Sequence, residues 1–185
     1  LSEHLKESGF LVHESDQVVS DIYEKPNENF IAFIESLKLK GVLKNKKINK
    51  TLVAINIFND SRLKKKFEKH IHKEVALSRK NFIEKNFKHK NKIIFIDIPL
   101  LLENKLEKQF NLVISIISTR KNRTRRVLKK SKFTKEILKK IIKSQTTDKE
   151  RKKRSNIIIY NNKTKKDFIY KAERVLKRII KWERL

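Results

Sequence analysis

Apolar residues follow two alternating patterns along this chain. Four short runs are nearly continuous: "FLVHESD" (10–16), "KIIFIDIP" (92–99), "NLVISIIS" (111–118) and "SNIIIYN" (155–161). Such runs, β-branched and without polar alternation, predict parallel strands covered on both faces. Between them apolar positions recur every three or four residues, the period of a helix with one buried face. "QVVSDIYEK" predicts a helix reaching toward Pro26, and Phe30, Ile31, Phe33, Ile34 and Leu37 predict another that stops at Gly41. "INKTLVAINIFND" (48–60) sets Ile48, Leu52, Ile55 and Phe58 on one stripe, and a long charged helix follows from Ser61 into the high eighties. Further helices are predicted over 120–130, 134–146 and 164–183, the last with Phe168, Ala172, Val175, Leu176 and Ile179 on one face. Residues 1–8 read as the closing turns of a helix, with Gly9 just past its end. Strands alternating with helices predict an α/β fold, a parallel sheet with helices on both faces, in one domain over 1–185.

Composition narrows the chemistry. The 185 residues contain no cysteine, which excludes disulfides, thiolate metal sites and cysteine nucleophiles. No apolar stretch approaches the ~20 residues of a membrane span, so a soluble, cytoplasmic protein is expected. Two glycines, Gly9 and Gly41, leave no glycine-rich phosphate loop within the chain. The net charge of +27, from 48 Lys and Arg against 21 Asp and Glu, suggests a polyanionic partner. That partner is either nucleic acid or a multiply phosphorylated small molecule. The basic residues are scattered and are not interleaved with aromatic residues as a base-stacking platform would be, so nucleic acid is the weaker reading.

Parallel α/β sheets bind ligands at the carboxyl ends of their strands. The polar residues there are Glu14 and Asp16 after the first run, Asp97 and then Glu103 after the second, Ser118, Thr119, Arg120, Arg123, Arg125 and Arg126 after the third, and Asn161 and Asn162 after the fourth. Carboxylates at some strand ends and arginines at others are expected to face one cleft. A carboxylate there can hold Mg²⁺ or take the proton of an attacking hydroxyl, and arginine forks suit phosphoryl oxygens. Taken singly, each acid reads equally as a solvated turn or a helix cap, and the arginines as a wet helix face. His70 and His72 stand two apart on a helix and so point to different faces, unlike a metal-binding pair; no metal site is expected. His4, His13, His70 and His89 read as surface or structural histidines.

The order of landmarks resembles the dephospho-CoA kinase family from Leu1 almost to the C-terminus. "ESGFLVHESD" is similar to the family's helix–glycine–strand leading into an aspartate-alanine-aspartate turn, with Glu14 and Ser15 in place of the first two residues and Asp16 on the second aspartate. "LVAINIFND" resembles its leucine…phenylalanine-x-aspartate segment. "HIHKE" resembles its histidine-proline turn, with His72 matched and Lys73 replacing the proline. "IPLLLENK" matches its proline-leucine-leucine-x-glutamate string, placing Pro99 and Glu103. Arg126 falls on the first arginine of the lid pattern, Lys130 stands where the second arginine is usual, and Gln145 and Arg151 match later positions. "SNIIIYNN" resembles the alanine-aspartate-strand-asparagine element, with Ser155 and Asn156 substituted.

The resemblance implies a P-loop NTPase fold of the nucleoside-monophosphate-kinase type, with a helical substrate-side insert over 26–90 and a lid over 119–150. It implies ATP and Mg²⁺ as cofactors, dephospho-CoA as substrate, and phosphorylation of the ribose 3′-hydroxyl, the last step of coenzyme A synthesis. Asp16 is then the catalytic base and Arg126 a catalytic cation, His72 and Glu103 serve the substrate side, and Arg123, Lys130 and Arg151 serve the nucleotide. Lysine at 130 keeps the charge but loses the planar fork. The family's first strand and G-x-x-x-x-G-K-[ST] loop fall just upstream of Leu1 by this alignment, so the sequence reads as a shortened form, inactive by itself, of a kinase that carries them. The alternatives are a noncatalytic member that keeps the fold, and a basic nucleic-acid-binding protein.

Overall fold

The computed structural model describes residues 1–44, 47–88, 93–130 and 134–183. The chain divides into two compact units, one of Ser2 and His4–Pro99 and one of Leu100–Leu185 with Leu1 and Glu3.

The amino-terminal unit opens with α1 (Ser2–Glu7), which ends in a Schellman turn. The Phe10 N–H bonds the Leu5 carbonyl and the Gly9 N–H bonds the Lys6 carbonyl, both at 3.0 Å. Gly9 adopts φ +83°, a conformation that a side chain would strain. The chain then enters β1 (Leu11–Glu14) and passes without a loop into α2 (Ser15–Glu24). Asp16, expected on a turn, therefore lies in the first turn of a helix. Asn27 starts α3 (Glu28–Ser36) by accepting the Phe30 N–H at 2.7 Å.

Helix α3 stops five residues before Gly41, where the apolar pattern had placed its end. Lys38 takes the left-handed conformation, φ 52°, and its N–H bonds the Glu35 carbonyl, so a lysine performs the reversal. A hairpin of β2 (Leu43–Lys44) and β3 (Lys47–Ile48) follows, too short to carry a period of its own. Ile48 belongs to this hairpin rather than to a helix. Helix α4 (Lys50–Asn59) buries Val53, with Leu52 and Ile57 partly covered. The expected stripe fails at its outer positions, since Ile55 is 51% and Phe58 90% exposed. Packing against α5 (Ser61–Lys88) selects a different face from the one that sequence spacing suggests. The last strand of this unit is β4 (Ile94–Asp97), while the expected strand start at Lys92 lies outside the described residues.

β1 and β4 pair in parallel, with Leu11 opposite Ile94 and Glu14 opposite Asp97. Beside them an aromatic core joins α2, α3 and α5. Phe30 is wholly buried and meets Tyr23 and Phe67 edge-on, and His70 stacks on Phe33 with ring centres 3.8 Å apart and planes 4° off parallel. On the strand, His13 is buried against α5, its Nε2 3.2 Å from the Ser78 hydroxyl and its ring beside Phe82. Both histidines thus play the structural part expected of them; His89 lies outside the described residues.

The carboxy-terminal unit repeats the parallel theme. A turn of 3₁₀ helix at Glu107–Gln109 precedes β5 (Ile114–Ile117), then come α6 (Arg120–Lys130), α7 (Lys135–Ser144) and α8 (Asp148–Arg154). β6 (Ile157–Tyr160) pairs with β5 from Ile114 opposite Ile157 to Ile117 opposite Tyr160, and α9 (Lys165–Glu183) packs on it. Ile159, Phe168 and Ala172 form the core there. The Asn156 side chain accepts the Val113 N–H at 2.8 Å, which gives this replacement residue a structural task at the strand entry. Helix α8 was not anticipated, because its seven residues, "DKERKKR", carry no apolar period. Coverage of the strands is uneven, with Leu11, Ile116 and Tyr160 exposed.

Burial holds the imidazoles of His13 and His70 below their ordinary range; Arg79 adds to the effect at His13, and Glu74 partly opposes it at His70. The unfolded chain therefore binds more protons than the folded one as pH falls through and below 6.5, and stability should decline there. We expect the urea midpoint to drop between pH 7.5 and pH 5.5, and the drop to shrink in His70→Phe, which keeps the stack without the titrating ring. A midpoint flat across that window would contradict the account.

Candidate active site

In the amino-terminal unit the parallel register brings two strands to a stop at one level. Glu14 closes β1 and Asp97 closes β4, opposite each other. Immediately beyond, α2 begins, and Ser15, Asp16 and Gln17 occupy its first turn. These residues and Pro99 line a cavity of about 240 Å³. Two of its three carboxylates are engaged, since Lys6 pairs with Glu14 and the Ser2 hydroxyl donates to Asp97 at 2.7 Å. Asp16 is exposed, and its carboxylate has no hydrogen bond or ion pair with another described residue. An acid in the first helical turn also faces the positive end of the helix dipole. The site thus presents one uncommitted carboxylate at a mouth where parallel strands end. His72 is exposed on α5, one residue beyond the buried Ile71.

In the carboxy-terminal unit the ends of β5 and β6 are joined by polar side chains. The Ser118 hydroxyl donates to the Asn161 carbonyl at 2.8 Å, the Asn162 side chain accepts the Thr119 N–H at 2.8 Å, and the Asn122 amide donates to the Asn162 carbonyl at 3.0 Å. Helix α6 starts on this platform. One turn and a half along it, Arg126 reaches back, with Nη1 3.0 Å from the Asn161 carbonyl and Nη2 3.3 Å from its side-chain oxygen.

The other predicted residues of this unit meet in an ion-pair frame. Asp148 takes both terminal nitrogens of Arg123, at 2.9 and 2.8 Å, and stands 3.6 Å from Arg151. Arg151 lies 3.5 Å from Glu103, whose carboxylate also accepts the Thr146 N–H at 2.8 Å. Burial raises the Glu103 carboxyl, but the Thr146 hydrogen bonds and Arg151 outweigh it and hold the group below its usual range. Arg154 adds a second tie, to Glu107 at 2.6 Å and to the Leu102 carbonyl at 2.7 Å. Glu103, Arg123 and Arg151 are therefore brought together, and Arg126 stands apart from them on Asn161. Lys130 closes α6, and its side chain lies outside the described residues.

Asp148, which is not among the strand-end residues, links the two arginines. Its signal was present in "TTDKE", where Thr147 and Glu150 have capping-box spacing and Asp148 sits three residues before Arg151. The Thr147 hydroxyl does accept the Glu150 N–H, at 3.2 Å. No group of three His, Asp or Glu side chains suited to a metal occurs among the described residues.

Comparison with known proteins gives a consistent result. The dephospho-CoA kinase family model matches residues 1–167. The dephospho-CoA kinase of Fusobacterium nucleatum is 30% identical over 174 residues, which cover 94% of this chain and 88% of that protein. The dephospho-CoA kinase of Bartonella henselae is 28% identical over 176 residues, covering 95% and 87%. Among solved structures, dephospho-CoA kinase from Campylobacter jejuni superposes with a TM-score of 0.72 at 24% identity, over 96% of this chain and 88% of that one.

Removing the Glu103 side chain strands the Thr146 N–H and leaves Arg151 short of a partner. We expect Glu103→Ala to cost about 1–3 kcal/mol in urea unfolding and Glu103→Gln, which keeps an acceptor, to cost less. Equal stability of wild type and Glu103→Ala would show that the frame holds nothing.

Proposed function

Because this chain belongs to the dephospho-CoA kinase family, we propose that it transfers the terminal phosphoryl group of ATP to the ribose 3′-hydroxyl of dephospho-CoA. The 3′-oxygen bonds to phosphorus as the bond to the bridging oxygen breaks and ADP leaves with that electron pair. The hydroxyl proton passes to a base, and Asp16 is the group we assign to that task. The observation that carries the assignment is the cavity at the level ends of β1 and β4, with the Asp16 carboxylate uncommitted on its wall. Arg126 is assigned to the charge on the transferring group, where a planar fork matches phosphoryl oxygens.

Under the same reading, His72 and Glu103 serve the substrate side, the latter through the frame it anchors, and Arg123, Lys130 and Arg151 serve the nucleotide. The helical stretch over 26–90 is assigned to dephospho-CoA and the stretch over 119–150 to the lid. Bound with ATP, Mg²⁺ would need only one or two carboxylates beside phosphate oxygens and water, and would supply neutralisation of the phosphate charge. The cavity's other acids, Glu14 and Asp97, have the oxygen chemistry that would fit it, which leaves Asp16 to the proton. The phosphates of the two substrates account for a polyanionic partner without nucleic acid. We assign the reaction to the cytoplasm on the family likeness alone. Among the described residues no helix is long and apolar enough to cross a membrane.

The test is coenzyme A formation by the full-length protein with ATP, Mg²⁺ and dephospho-CoA. Asp16→Asn should lower kcat by roughly 10²-fold or more, as loss of a positioned base does. A rate near wild type in that variant would remove Asp16 from the chemistry.

A further inference from the structure

The three arginines of the carboxy-terminal unit assigned to phosphate differ in the kind of surroundings they have. Arg123 gives both terminal nitrogens to the Asp148 carboxylate, and Arg151 lies between Asp148 and Glu103. Two cations thus stand against two carboxylates, and their charge is answered within the frame. Arg126 is held otherwise. Its partners among the described residues are the carbonyl and side-chain oxygens of Asn161, at 3.0 and 3.3 Å, and, more distantly, the Ser118 hydroxyl at 3.5 Å. Every one of them is neutral.

Neutral acceptors fix a guanidinium without cancelling it. Two contacts to one asparagine, one from each terminal nitrogen, define both the position and the plane of the fork. Asn161 is itself fixed, because its N–H bonds the Ile117 carbonyl at 2.8 Å and its carbonyl also takes the Ser118 hydroxyl at 2.8 Å. The ends of β5 and β6 therefore aim the arginine. Its remaining donors and its full positive charge stay available to an anion. An arginine paired with a carboxylate would have to give up that partner before serving a phosphoryl group as a cation of unit charge.

We propose that Asn161 is a positioning residue for the phosphoryl transfer, orienting Arg126 toward the transferring group while leaving its charge unneutralised. The inference rests on the reading of Arg126 as the cation that meets the phosphoryl group.

Steady-state kinetics of the full-length protein with ATP and dephospho-CoA test it. Asn161→Ala should lower kcat about tenfold, the scale of a lost hydrogen bond to a charged group, with KM for dephospho-CoA and the melting temperature near wild type. Asn161→Asp keeps an acceptor in place but adds a negative charge beside the guanidinium, and it should lose at least as much as Asn161→Ala. A merely structural role for Asn161 would rank the two the other way, with the aspartate variant the more active. In an Arg126→Ala background neither substitution should lower the rate further, because the group they act through is gone. Losses that multiply in the double variants, or an Asn161→Asp enzyme with wild-type kcat, would overturn the proposal. Wild-type turnover in Arg126→Ala itself would overturn the underlying reading of Arg126, a result distinguishable from failure of Asn161 alone.

Discussion

The pairing of β1 with β4 in the register that sets Glu14 opposite Asp97 is the constraint from which the acidic site follows. Parallel strands run in one direction, so equal register makes them end together, and the backbone leaves the sheet at one level. A helix that starts there without a loop puts its first turn at the mouth. Asp16 owes its place to this geometry, as do the two acids whose partners, Lys6 and Ser2, both come from α1. A slip of one residue would turn His13, buried against Ser78 and Phe82, away from α5 and carry Glu14 into its place. The buried histidine and the partly exposed acid thus specify the same register from opposite faces of the strand.

The second parallel pair uses its ends differently. Where β1 and β4 finish in carboxylates, β5 and β6 finish in serine, threonine and asparagine, whose neutral groups bind one another and the start of α6. Charge in that unit is sorted by partner. Carboxylates face Arg123, Arg151 and Arg154: Asp148 ties the short helix α8 to Arg123 of α6, and Arg151 and Arg154 tie it to Glu103 and Glu107. Neutral oxygens are kept for Arg126. A strongly basic chain has cations in excess, so where its few acids go is informative. The charge of an arginine facing an acid is already answered, and that of one facing an amide is not.

Much of this was legible in the amino-acid order, for physical reasons that also mark the limits. The four strands announced themselves because continuous β-branched runs have few other uses in a polar chain. The long α5 was equally plain, since twenty-eight residues give the helical period many repeats. The stop of α3 was not, because the usual residue for a left-handed reversal is glycine and Lys38 makes the turn instead. The exposed face of α4 was misread for a different reason: its apolar residues ring the helix, and only the packing of α5 decides that Val53 goes in and Phe58 stays out. The paired strands β2 and β3 and the helix at 148–154 carry too few apolar residues to show any period. Asp16 was legible as a strand-end acid and through family likeness. The partners of the arginines were not, because an ion pair between residues 103 and 151 leaves no mark in local spacing.

The central claim is that the level ends of β1 and β4 present Asp16 to the hydroxyl that is phosphorylated. A crystal structure of the full-length protein with dephospho-CoA bound tests this most directly. An Asp16 carboxylate oxygen should lie within hydrogen-bond reach, roughly 2.6–3.2 Å, of the ribose 3′-oxygen, at the cavity walled by Glu14 and Asp97. A ribose bound elsewhere, with Asp16 facing only solvent, would contradict it.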